Sequence, residues 1–132
     1  MKITLHTAQN LERFICTNSK NSGIILGNGK EGVSPMDGLL MSLAGCSTID
    51  MIMILKKMRQ EVRDIKVEVK AKRKDTDPRT FTKIKLCYTI IGKVKSKKAQ
   101  EAMDLSLEKY CSVALSLNKS IKIGSSFTIV KD

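Results

Sequence analysis

The stretch LLMSLAGCSTIDMIMIL, residues 39–55, decides how the rest of the chain is read. It is an almost uninterrupted apolar run with Cys46 near its centre, broken by the polar residues Ser42, Ser47, Thr48 and Asp50. A helix crossing a bilayer needs about 20 apolar residues and rarely carries a carboxylate; this run sits at the lower length limit and contains one. A buried helix of a soluble protein fits better. Apolar residues on nearly every side need cover from several directions, and a chain of 132 residues obtains that most easily from a partner subunit. The run therefore predicts a homodimer with this helix in its interface, and no membrane association.

Upstream of the run, Ser34-Pro35-Met36-Asp37 has the form of a helix start, with Ser34 as N-cap, Pro35 at the first helical position and Asp37 where a capping box carries its acid. The helical pattern continues to about Gln60. Gly45 interrupts it, and a second box-like set, Ser47-Thr48-Ile49-Asp50, follows, so Cys46 is expected at a kink or at a new helix start. Amides freed there would stabilise a thiolate. Residues 2–6, 13–17 and 22–26 read as short strands, and GNGKEG (27–32) as the loop after them. That loop matches a dinucleotide-binding glycine pattern, but its last glycine precedes the N-cap and no βαβ unit follows, while Asn28-Gly29 is a turn pair on its own. A plain turn is the better reading.

Downstream, 65–73 and 81–91 alternate with period two, with Ile84, Leu86, Tyr88 and Ile90 on one face, and KDTDPR between them reads as a hairpin turn. A helix is expected over about 96–118, its apolar stripe bordered by Cys111, and a last strand over 121–130. The chain has no repeat, low-complexity tract or linker, so it reads as one α+β domain over 1–132.

The net charge of +11, from 24 Lys and Arg against 13 Asp and Glu, makes an anionic partner worth weighing. Nucleic-acid binding would call for aromatic stacking residues among the lysines between Arg63 and Lys98, yet the chain has no Trp, two Tyr and three Phe. A solvated lysine-rich sheet face is the better reading. The N-terminal MKITLHTAQNLERF has no apolar signal core or cleavage site, which points to the cytoplasm. There the four cysteines, Cys16, Cys46, Cys87 and Cys111, are expected as thiols at rest. With no C-x-x-C pair and one histidine, His6, they do not form a zinc pattern. Cys16 and Cys87 fall in strands and read as inert; Cys46 and Cys111 lie on core helices, where spacing alone leaves structural and reactive roles equally open.

SPMDGLLMSLAGCSTIDMIMILKKMRQEV, with FTKIKLCYTIIG and LSLEKYCSVALSLNKSIKI, resembles the OsmC/Ohr family of osmotically inducible and organic-hydroperoxide-resistance proteins over residues 23 to about 130. The likeness is to its OsmC-like branch. It implies an OsmC-like fold: an intertwined homodimer in which antiparallel sheets wrap long central helices. It also implies a thiol peroxidase, with Cys46 as the peroxide-attacking thiol, Cys111 as its disulfide partner, an organic hydroperoxide as substrate and an external, lipoyl-type dithiol as reductant. No cofactor or metal is implied. Better-known members place a glutamate at the start of the cysteine helix and an arginine in the N-terminal region; here Asp37 stands at the acidic position, and Arg13 is the only arginine before Cys46. Two other classes stay open: a small-molecule or lipid carrier with redox-sensing cysteines, and a basic nucleic-acid-associated protein.

Overall fold

Three short antiparallel strands open the chain, β1 (Ile3–Ala8), β2 (Arg13–Asn18) and β3 (Gly23–Gly27), ordered β1-β2-β3. The computed structural model describes residues 1–8 and 10–132, and these divide into two units, Met1–Met41 and Ser42–Asp132. In the first unit the register sets Leu5 opposite Cys16 and Cys16 opposite Ile24, so one sheet face is an apolar ladder. Ile3, Leu5 and Ile24 on this face stay 65%, 53% and 60% exposed. GNGKEG forms the expected turn: the Lys30 N–H donates to Asn28 Oδ1 at 3.2 Å, and Gly29 and Gly32 take positive φ values of 105° and 73°.

Helix α1 (Pro35–Lys57) starts where the sequence puts it, with the Asp37 N–H donating to Ser34 Oγ at 3.2 Å. Lys56 and Lys57 in the last turn suit the negative end of the helix dipole, and Arg59 at φ 58° turns the chain into the next strand. Leu43, Ser47, Met51 and Leu55, each four residues apart, make its buried stripe. Met41, Ile49, Ile52 and Met53 are exposed. By length and composition alone α1 could cross a membrane, and 22% of its apolar window is buried within this chain.

The second unit is built on the hairpin of β4 (Glu61–Arg73) and β5 (Phe81–Lys93), with β6 (Lys122–Val130) beside β5. Ile84, Leu86, Tyr88 and Ile90 share the buried face, as their alternation predicts. Gly92 sits at φ 144° opposite the register shift at Val62/Asp64, where an added Cβ would lie 2.2 Å from the Glu61 carbonyl oxygen. The expected antiparallel pairing holds in the first sheet and between β4 and β5, whereas β6 joins β5 in parallel. The connection between β5 and β6 is helical, and a parallel pair requires a crossover of that kind.

Two expectations are corrected. Helix α1 runs unbroken through Gly45 and Cys46, because the Gly45 side is open and nothing there forces a kink. The single helix expected over 96–118 is instead α2 (Ser96–Leu105), a π-helical turn (Ser106–Tyr110) and α3 (Ser112–Ser116), with Cys111 in extended conformation between the last two. The Cys111 N–H donates to the Ser106 carbonyl at 2.6 Å, closing the wide turn.

Candidate redox site at Cys46 and Cys111

A helix start bearing a cysteine does exist, but at Cys111 and not at Cys46. Cys111 is the N-cap of α3, and its sulfur accepts the Ala114 N–H at 3.5 Å. Buried hydroxyls fix the approach of this segment to α1. Ser47 and Tyr88 share a 2.7 Å hydrogen bond, tying α1 to β5, and Ser106 Oγ donates to the Ser47 carbonyl at 2.9 Å, tying the π turn to α1. Ser47 and Ser106 are fully buried and Tyr88 is nearly so, so each bond forms where water does not compete.

The result is a cluster. Ligand atoms of Cys46, Asp50 and Cys111 lie within 4.8 Å of one another. Asp50 follows Cys46 by one helical turn and shares its face of α1. Both sulfurs are free thiols; Cys46 is half-buried and Cys111 has no exposed surface. Burial pushes the Cys111 thiol up to about 11, helped by the adjacent Cys46 and opposed by the Ala114 N–H. Burial likewise pushes Tyr88 up to about 12, against its hydrogen bond to Ser47 and with Cys111 adding to the rise. Two thiols and one carboxylate fall one protein donor short of a closed four-coordinate zinc site.

Asp37 is exposed in the first turn of α1 and belongs to the first unit, where its N–H serves the Ser34 cap. Arg13 is on β2 of that unit. Cys16 is buried in the first sheet, and Cys87 stands on β5 between Glu68 and Ser126. Asp50 was legible as the residue one turn beyond Cys46; read as a capping acid, its place in the cluster was hidden. Ser47, Tyr88 and Ser106 carried no comparable signal.

Beside Asp50 a cavity of about 400 Å³ is lined by Met53, Ile54, Lys57, Met58, Leu105 and Tyr110. Four of these side chains are aliphatic or thioether groups, so an alkyl group would find apolar walls there, with a carboxylate and an ammonium at the lining.

Raised values for Cys111 and Tyr88 make a prediction about alkaline stability. The folded protein keeps these protons to higher pH than the unfolded chain, so their contribution is complete below pH 9.0 and falls as pH rises through about 11 and about 12. Urea midpoints should therefore decline from pH 9 upward, and Cys111→Ala should remove the lower part of that decline. A flat profile in the wild type would contradict the burial of both groups.

The family model described as OsmC-like protein matches residues 27–126. Protein YhfA of Escherichia coli (strain K12) is 43% identical over 104 residues, 78% of either chain. A crystal structure of a hypothetical protein from Aquifex aeolicus VF5 superposes with a TM-score of 0.91 at 35% identity, over 99% of this chain and 96% of that one. The organic hydroperoxide resistance protein OhrB of Bacillus subtilis shares the fold, with a TM-score of 0.67 at 15% identity over 96% of each chain.

Proposed function

Because this chain belongs to the OsmC-like protein family, we propose that it reduces organic hydroperoxides through Cys46 and Cys111, as a homodimer in the cytoplasm. The observation that carries the reading is the approach of these two thiols, far apart in the chain, to within 4.8 Å. Their burial supports an order of reaction. Cys46 is the more accessible sulfur, so its thiolate attacks the distal oxygen of the hydroperoxide; the S–O bond forms, the O–O bond breaks, an alcohol leaves and Cys46 becomes a sulfenic acid. The Cys111 sulfur then attacks the Cys46 sulfur, and water leaves as the disulfide forms. Two exchanges with an external dithiol, of lipoyl type, return both thiols and supply the two electrons.

The apolar cavity beside Asp50 supports an alkyl hydroperoxide over hydrogen peroxide. Asp37 is kept in the reading as the acid at the start of the cysteine helix. The single domain over 1–132 is proposed as complete only with a second copy, which would cover the apolar faces of the first sheet and of α1. Lipid is the poorer cover for α1, since Ser47 and Asp50 on it belong to a polar cluster.

The test is a titration of pre-reduced protein with cumene hydroperoxide and then hydrogen peroxide, following loss of free thiol. Two thiols should be lost per cumene hydroperoxide consumed, at least about tenfold faster than with hydrogen peroxide. No consumption of either peroxide would refute the reading and leave the carrier with redox-sensing cysteines.

A further inference from the structure

Among the described residues, Asp50 Oδ2 is a buried side-chain oxygen with no hydrogen-bond partner. A carboxylate oxygen held this way is costly, and such an orphan points to chemistry and not to stability. Asp50 has no fold-supporting bond to explain it, unlike Ser47 and Ser106, whose hydroxyls tie elements together. It does have two thiols within 4.8 Å, one from its own helix and one from the N-cap of α3.

The proposed reaction needs a proton moved at each of its two steps, and this cluster has few groups to move it. Tyr88 is engaged with Ser47 and pushed up to about 12 by burial. Lys57 and Tyr110 line the adjoining cavity together with Asp50, as side chains that can donate hydrogen bonds there. Cys111, held as a thiol by burial, needs a base before it can attack. The Asp50 carboxylate is the acceptor at hand: one of its oxygens lies within 4.8 Å of both sulfurs, a separation one water can bridge, and its Oδ2 has no hydrogen-bond partner.

We propose that Asp50 is the proton acceptor and donor for both thiol steps, taking each sulfur's proton as that sulfur attacks and passing it to the oxygen that leaves. This rests on the hydroperoxide reading. In the first step the Cys46 proton goes to Asp50, the S–O bond forms as the O–O bond breaks, and the departing alkoxide takes the proton to become the alcohol. In the second the Cys111 proton goes to Asp50, the S–S bond forms as the S–O bond breaks, and the departing hydroxide takes the proton to become water. Each step returns Asp50 to the carboxylate, and each transfer moves one negative charge within the cluster without adding a second.

The test compares wild type with Asp50→Asn, which keeps the shape and removes the proton acceptor, and with Asp50→Glu. Two single-turnover rates are read in the presence of a chelator: consumption of cumene hydroperoxide, and oxidation of the thiol pair by diamide, which makes a disulfide without any peroxide. Asp50→Asn should slow both by about 100-fold, and Asp50→Glu should recover most of the loss. A loss below tenfold in both assays overturns the proposal, as does an Asp50→Asn variant that reacts faster, the result if the carboxylate merely repels the thiolates. Equal losses in Asp50→Asn and Asp50→Glu, or unfolding of both by circular dichroism, assign Asp50 a structural role and overturn it too. Wild type that ignores hydroperoxide but reacts with diamide in an Asp50-dependent way sinks the hydroperoxide reading alone.

Discussion

Cys46→Ser should reduce hydroperoxide consumption to the uncatalysed background from the first turnover, whereas Cys111→Ser should complete the first turnover and then be inactivated by a second hydroperoxide. The asymmetry comes from burial. Cys111 has no exposed surface and is held as a thiol, with its reactivity pushed toward pH 11, so it cannot stand in for a missing Cys46. Cys46 keeps part of its surface open. Without Cys111 nothing traps the Cys46 sulfenic acid, and excess hydroperoxide carries it to the sulfinic acid, two oxygen atoms heavier than the thiol and beyond the reach of a dithiol. Intact-mass spectrometry after one and after ten equivalents of cumene hydroperoxide reads both outcomes. Sustained turnover of Cys111→Ser with a dithiol would remove Cys111 from the reaction and make Cys46 a one-cysteine enzyme. Retained activity in Cys46→Ser would sink the assignment entirely.

How much of this was legible in the sequence differs by element. The strands were, because Ile84, Leu86, Tyr88 and Ile90 alternate without interruption and all four are buried. So was the start of α1, where Ser34 caps as its position implies. The break at Cys111 was not. Residues 106–111 contain neither glycine nor proline, and local preference favours continued helix; the π turn is selected by the Ser106 bond to the Ser47 carbonyl, a contact across 59 residues. Gly45 misled in the other direction, since a glycine inside a helix costs about 1 kcal/mol and need not bend it.

The parallel placement of β6 was open to inference, because a helical stretch between two strands is the crossover a parallel pair requires. The site divides the same way. Spacing left Cys46 and Cys111 equally open to structural and reactive roles, and the family resemblance paired them. Asp50 entered the cluster only when α3 brought Cys111 to the face that Asp50 shares with Cys46. The separation of thiol and carboxylate along the helix was visible beforehand; that a third group would meet them was a tertiary fact.

Ile49→Asp combined with Ile52→Asp should weaken self-association by roughly 100-fold or more, because each aspartate would place an unpaired carboxylate in a dry interface, at about 3 kcal/mol or more. Helix α1 carries two apolar stripes. Leu43, Met51 and Leu55 are fully buried within the chain, while Met41, Ile49, Ile52 and Met53 remain 59%, 61%, 45% and 54% exposed. Four large apolar side chains along one helix face form a patch of the kind that marks an interface. The first sheet repeats the pattern, since three strands with an exposed apolar ladder are marginal alone. The proposed second copy of this chain is the occupant that would cover these faces. Sedimentation velocity at micromolar concentration should return twice the 14.7 kDa of the chain for wild type and the single mass for the double variant. Because the substituted positions are exposed within the chain, the variant monomer should keep the helix and sheet content of the second unit while the first loses its protection from amide exchange. A wild type that sediments as a monomer would refute the dimer, and a double variant that remains a dimer would move the interface away from this face of α1.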